Sequence, residues 1–352
     1  MKLTPIVVPG KRRRAGEPAS SRGVSKRKRI RKTPNKALSK GSKKLRHGKV
    51  SYLEEHLPLE ILRSIFMYSE NINLVRASPL LGKFLSEIET RREVFVHAFA
   101  PTWCEQSKTG LSKLDRKANP EFQSALLDFS WVNMRFVTKC FEQCARIFPQ
   151  FMEGRDIFGD LDMAFDDEDA KVTVEDATGE MNATERCFMV HFETFVSKKR
   201  SIDRWVSLRV VVDSISMVHH KARIPDALIT GPWDDEALKK FFWLTRVGAC
   251  YQEDQTWELA YTGLETALKH RHEPSGRAIS ALVLLERTIA ELKWPADKLT
   301  EAHELIYPLE LKAAWTKKYS VHGVLNSFRR RLEEEANSAA QHAQGVQDGQ
   351  DA

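Results

Sequence analysis

The stretch Leu57-Pro58-Leu59-Glu60-Ile61-Leu62-Arg63-Ser64-Ile65-Phe66, followed by Asn73-Leu74 and then by Ala77-Ser78-Pro79-Leu80-Leu81, decides how the N-terminal part of this chain folds. Leu59, Leu62, Ile65 and Phe66 recur at the three-and-four spacing of one helical face, with Ile61 beside it. Pro58 suits a first helical position, where its missing N–H costs no bond, and Glu60 suits the positive N-terminus. The helix is expected to end around Ser69–Asn71, and a short turn of helix restarts there and closes at Ala77. Ser78-Pro79 then opens a third helix, with Ser78 as N-cap, Pro79 as first residue, and Leu80, Leu81, Phe84, Leu85 and Ile88 inside. The spacing predicts a compact three-helix unit.

Downstream, residues 121–151 read as further helix, with Leu126, Leu127, Phe129, Trp131, Phe136, Val137, Phe141 and Ile147 supplying core. Residues 156–185 carry eleven acids and one base, Lys171, and are expected to form an exposed acidic loop. Period-two patterns follow. Cys187 to Val196 alternates around Phe188, Val190, Phe192 and Thr194, and Trp205 to Val218 contains Val206, Leu208, Val210 and Val212. Both predict strands of a small antiparallel element joined by Ser197 to Ser201. Pro232 is expected to open a helix that buries Leu238, Phe241, Phe242 and Leu244 and ends at Gly248. Further helices are expected at about 254–270, 275–293, 297–317 and 320–336. From Asn337 to Ala352 the chain is rich in Gln, Ala, Gly and Asp and reads as a disordered tail.

Composition divides the chain sharply. Of 352 residues, the first 50 hold 18 Lys/Arg and a single acid, Glu17, for a net +17. The other 302 hold 37 Lys/Arg against 47 Asp/Glu, for a net −10. An acidic body thus follows a basic segment that has no aromatic residue, and such a segment buries too little apolar surface to offset the entropy of ordering. Its cations form two knots, Lys11-Arg12-Arg13-Arg14 and Lys26-Arg27-Lys28-Arg29-Ile30-Arg31-Lys32, eleven residues apart. This pattern resembles a bipartite nuclear localisation signal, which implies a nuclear import receptor as partner and the nucleus as destination, with the cytoplasm left open as well. Weak contact with nucleic-acid phosphates is a second reading of the same cations.

Several classes of function are excluded or lack their residues. No stretch of 18 apolar residues exists, so nothing reads as a membrane span, and Ile6-Val7-Val8 running into Lys11 is no signal peptide. The five cysteines, Cys104, Cys140, Cys144, Cys187 and Cys250, form no CxxC pair and suit an intracellular chain with free thiols. His303-Glu304-Leu305-Ile306-Tyr307 begins like a zinc-binding HExxH but has Tyr at the second ligand position. His219-His220, His270 and His272 with Cys250 read as loop histidines and a packed thiol rather than as a metal centre. No GxGxxG, GxxxxGK or GxSxG occurs. Neither a catalytic constellation nor a cofactor site is expected.

Residues 53–99 resemble an F-box of the kind found in many fungal proteins. The likeness is carried by Leu57-Pro58-Leu59-Glu60-Ile61-Leu62, by Ile65-Phe66, by Asn73-Leu74 and by Ala77-Ser78-Pro79-Leu80-Leu81. Residues 226–250, with Leu228-Ile229-Thr230-Gly231-Pro232-Trp233 and Gly248-Ala249, are similar to a segment that follows the F-box in the same set. The chain departs from the usual pattern in its third helix, where Gly82-Lys83-Phe84 stands in place of Arg-x-Trp. The resemblance implies a non-catalytic adaptor. Its Leu57, Pro58, Leu59, Glu60, Ile61, Leu62, Ile65 and Phe66 would dock on the Skp adaptor of a cullin–RING ubiquitin ligase, and the rest of the chain would recruit a protein substrate. The alternative is a nuclear DNA- or chromatin-associated regulator or scaffold that assembles no ligase. Gly231-Pro232-Trp233 is similar to the start of a Myb repeat, but Trp257 lies too far on for the usual tryptophan spacing.

The expected fold is therefore mainly α with a small antiparallel β element. A three-helix F-box-like unit at 51–100 is followed by a helical segment at 101–155, the acidic loop at 156–185 and an α-rich α+β domain at 186–336. Disordered tails are expected at 1–50 and 337–352. The aromatic-rich segment 229–257 is the candidate recognition surface, although core packing accounts better for most of its rings.

Overall fold

The computed structural model describes residues 56–105, 117–149, 181–198, 217–269 and 275–348. The chain divides into two units, Met1–Val50 and Ser51–Ala352, and every described residue belongs to the second. Among the described residues there are helices and no strand. They are α1 (Leu59–Ser69), α2 (Asn73–Ala77), α3 (Pro79–Leu85), α4 (Ile88–Glu105), α5 (Pro120–Leu127), α6 (Met134–Ile147) and α7 (Ala183–Lys198). After these come α8 (Asp226–Thr230), α9 (Asp235–Arg246), α10 (Trp257–Leu268), α11 (Gly276–Glu291), α12 (Ala296–Trp315) and α13 (Tyr319–Asp348). No helix among the described residues is long and apolar enough to cross a membrane.

Several helix starts are set by a side chain that accepts from an otherwise orphaned N–H. Asn119 Oδ1 accepts from Phe122 at 3.1 Å, Asn133 Oδ1 from Phe136 at 2.9 Å, Asp234 Oδ1 from Ala237 at 2.7 Å and Ser275 Oγ from Ala278 at 3.2 Å. Residues 121–151 are thus two helices, because Asn133 begins a second one. Ile147, expected inside, is exposed at the end of α6. The 231–234 turn is similar: α9 begins at Asp235 behind its Asp234 cap, and not at Pro232.

α4 is buried along most of its length. Thr90, Val94, Phe95, Val96, Phe99 and Trp103 are all buried, so the helix is covered on nearly every side. Phe95 and Phe99 stack with centroids 4.1 Å apart, and Trp103 meets Phe141 of α6 edge-on at 5.2 Å. An expected division at residue 100 falls inside this helix. Fully buried Gln123 on α5 crosses the layers. Its Nε2 donates to Ala98 O and Thr102 Oγ1, both at 2.9 Å, and its Oε1 accepts from His219 N at 2.9 Å. Lys240 of α9 reaches back to α5, donating from Nζ to Leu127 O at 2.5 Å and Phe129 O at 3.2 Å. It satisfies carbonyls that a helix C-terminus leaves open.

The strand expected at Cys187 to Val196 is helix. α7 buries Phe188, Phe192 and Phe195, spaced four and three residues apart, against Phe242 at 6.1, 5.7 and 4.7 Å. Alternation and helical spacing coincide at 188 and 192, and Phe195 breaks the tie. Asn182 Oδ1 also accepts from Glu185 N at 2.6 Å, as an N-cap does. The second expected strand lies, up to residue 216, outside the described residues, as do the acidic 156–180 stretch and both basic knots. A single parallel bridge, Arg223 to Cys250, is the β pairing found among the described residues. The C-terminal tail also differs from expectation: α13 continues to Asp348. Ala and Gln, abundant there, propagate a helix well.

Candidate functional site

The eight residues of the Leu57–Phe66 stretch do not act as one face. Leu62 and Phe66, four apart, are buried at 3% and 4% exposure and hold α1 to the core. Leu57 and Leu59 are half-buried. Pro58, Glu60, Ile61 and Ile65 face outward, with Ile61 46% and Ile65 40% exposed. Ile65 was expected inside with Leu62 and Phe66, but one helical step of about 100° per residue places it with Ile61. Tyr68, 79% exposed, extends the outward line by one more turn. Spacing names two candidate stripes on this helix, and only packing decides which one the core takes.

Neighbouring elements hold α1 in place. Glu70 closes it in the left-handed conformation, φ 50°, donating its N–H to Phe66 O at 3.1 Å. The Glu70 carboxylate accepts from Asn119 Nδ2 and so ties this end to the start of α5. Arg63 donates to Glu87 at 2.9 Å, and Tyr68 sits edge-on to His97 of α4 with centroids 6.0 Å apart. Burial lowers the pKa of His97 below the usual histidine value. Ser78 caps α3 by accepting from Leu81 N at 3.1 Å, as its sequence position implies. Gly82 lets α3 approach α2 closely, because a Cβ there would lie 2.9 Å from Val75 O. Leu81 and Leu85 join Leu62 and Phe66 in the common buried core.

Other candidate residues are occupied structurally. Ile229, Phe241, Phe242 and Trp243 are buried, and Trp233, Tyr251 and Trp257 are partly buried against the same core, so the rings of the 229–257 segment serve packing. Trp233 donates from Nε1 to Leu228 O at 2.7 Å. His219 and His220 stack on each other at 4.4 Å, and among the described residues no group of three or more His, Cys, Asp or Glu side chains could hold a metal. Cys104, Cys140 and Cys144 are buried; the hydrogen bond with Cys104 across α4 and α6, and then burial, raises the thiol pKa of Cys144 far above the usual range, and burial does the same for Cys140. Thiols so placed are packing groups, not nucleophiles. His303 Nε2 lies 3.1 Å from the accepting Glu333 carboxylate, and its ring stacks on Tyr307 at 5.9 Å.

A second exposed apolar line was missed in sequence. Tyr307, Leu311 and Trp315 on α12 and Tyr319 at the start of α13 are 47%, 44%, 87% and 71% exposed. The signal was available as a four-residue repeat, but a repeat alone does not say which side of the helix faces inward. No protein-family model, no curated protein and no solved structure matches this chain.

Proposed function

We propose that the chain is an F-box adaptor, the substrate-recognition subunit of a Skp–cullin–F-box ubiquitin ligase. The observation that carries this reading is the division of α1. A docking helix must be fixed from behind and apolar in front, and α1 has Leu62 and Phe66 behind with Pro58, Ile61 and Ile65 in front. Aliphatic side chains presented at three- and four-residue steps fit a groove between partner helices, where a few central anchors dominate the affinity. In this reading the chain contributes no catalytic residue and no cofactor. The RING partner supplies the chemistry, and the body beyond α1–α3 holds a protein substrate.

Co-expression with the Skp adaptor tests the proposal. The wild-type chain should retain the adaptor through purification, and Ile61→Asp/Ile65→Asp should lose it while its thermal midpoint stays within a few degrees of wild type. Equal, poor retention by wild type, by that variant and by Leu57→Ala/Pro58→Ala would remove the adaptor reading.

The basic knots Lys11–Arg14 and Lys26–Lys32 support a nuclear address within the same proposal. Alanine at Lys26, Arg27, Lys28, Arg29, Arg31 and Lys32 should shift the fluorescently tagged full chain from nucleus to cytoplasm. The net +17 of the first 50 residues is also what favours the second reading, a chromatin-associated regulator. Salt-dependent DNA binding by the full chain, without adaptor retention, would favour that reading instead.

A further inference from the structure

Nine large apolar side chains are exposed among the described residues; three of them, Tyr307, Leu311 and Trp315, follow one another at four-residue steps along α12, and Tyr319 is exposed just past the turn at Lys317, where α13 reverses the chain. The opposite side of α12 is buried through Leu299, Ala302, Ile306 and Ala313, so the helix needs none of these four to hold its place.

The charge beside this line is positive at its C-terminal end. Lys312, Lys317 and Lys318 are exposed there. The nearest acid in sequence, Glu310, is buried and accepts from Arg329 Nε at 2.7 Å, with His322 at 3.7 Å. Lys317 carries a further sign. It closes α12 with φ 56°, donating its N–H to Ala314 O at 3.1 Å while Lys318 N–H reaches Ala313 O at 2.9 Å. This is the double-bonded helix ending in which glycine is the usual left-handed residue. The other non-glycine residue at positive φ, Glu70, uses its side chain to accept from Asn119. The Lys317 side chain makes no hydrogen bond or ion pair among the described residues.

We propose that this aromatic line and its lysine rim form a docking surface for an acidic protein segment bearing large apolar side chains. The apolar side chains would bury the partner's anchors, and the exposed Lys317 would steer and register its carboxylates. Size favours a segment over a second copy of the chain. Tyr307 and Leu311 are less than half exposed, so the area these four side chains offer falls short of the roughly 800 Å² per partner of a stable globular interface. A nucleic-acid strand would also stack on exposed rings, but Leu311 and Tyr307 extend the line along a helix in the manner of peptide anchors, and the body is net −10. The inference stands apart from the ligase reading. Within that reading, this is where a substrate segment would sit.

The test titrates the full-length chain into a fluorescein-labelled peptide of glutamates with leucine or phenylalanine at every fourth position, read by anisotropy. Controls are the same peptide with serine at those positions, which reports any purely ionic attraction by the basic segment, and labelled oligothymidine. Wild type should bind the apolar peptide about tenfold or more tightly than the serine peptide. Leu311→Ala/Trp315→Ala should abolish that preference with an unchanged circular dichroism melt, since both residues are exposed. Lys317→Gly should weaken the apolar peptide severalfold while its melting temperature holds or rises. Equal binding of both peptides by wild type, an unaltered preference in the double variant, or a loss confined to oligothymidine would each overturn the proposal. No adaptor is present in the assay, so its failure leaves the adaptor result untouched.

Discussion

The two exposed apolar lines differ in what stands behind them. α1 rests on two buried side chains, Leu62 and Phe66, which join Leu81 and Leu85 in the common core. α12 rests on Leu299, Ala302, Ile306, Leu309 and Ala313, and is laced to α13 by Arg329, which pairs with both Glu310 and Glu333. A surface on thin support loses function when its anchors are touched. A surface on thick support can be altered with little effect on the fold. In both places the inward and outward residues come from one helix, so substitutions can separate stability from binding.

The largest expected effect comes from the thin side. Phe66→Ala should cost about 3–5 kcal/mol in chemical denaturation, because a ring is removed from a closed core. Ile61→Ser, one turn away and facing out, should stay within about 0.5 kcal/mol. Equal losses would break the assignment of inward and outward faces. Within the thicker body, Gly263→Ala should cost about 1–3 kcal/mol by overpacking. A Cβ there would lie 2.1 Å from Ile229 O, where α10 and α8 meet, and backbone cannot turn aside as a side chain can.

Lys240 lies outside both lines and reaches from α9 to the end of α5. Burial lowers its pKa to about 8, against roughly 10.4 for an unfolded lysine. Between these values the unfolded chain binds more protons than the folded one, so this group's contribution to stability rises with pH from about 8 to about 10.4. It is lost as pH falls through the folded value. Denaturation curves across that window should show a steeper rise for wild type than for Lys240→Met, and parallel slopes would refute the assignment. The smallest effect belongs to the second line: Lys317→Gly should stabilise by about 1 kcal/mol or less, because glycine adopts the left-handed conformation without steric cost.

Much of this architecture was legible locally. The Ser78-Pro79 cap, the helices of the C-terminal half and the breaks between them follow from capping residues and periodicity, which are properties of a few neighbours in sequence. α7 was also legible in principle, through Asn182 and the Phe188, Phe192 and Phe195 spacing, but β-branched and aromatic residues in alternation pointed to a strand. α4 was the hardest to read. A helix buried on nearly all sides has no polar stripe, and Pro101 lies within it, so periodicity is silent about the element that organises the core. The candidate site was half legible. Leu57 to Phe66 marked the helix, but Ile65 was placed on the wrong side and Tyr68 was not singled out.

What the amino-acid order determined alone is the type of most elements, their caps, and the separation of a basic 50-residue segment from an acidic body. These depend on neighbours within one or two helical turns, or on composition. What only the tertiary structure decided is orientation. A helix with apolar residues on more than one side has several faces to offer, and the free energy of burial is settled by the partner helices that close over one of them. That choice buried Leu62 and Phe66 and left Ile61, Ile65 and Tyr68 outside. It also left Trp315 and Tyr319 exposed beside a lysine in a glycine's conformation.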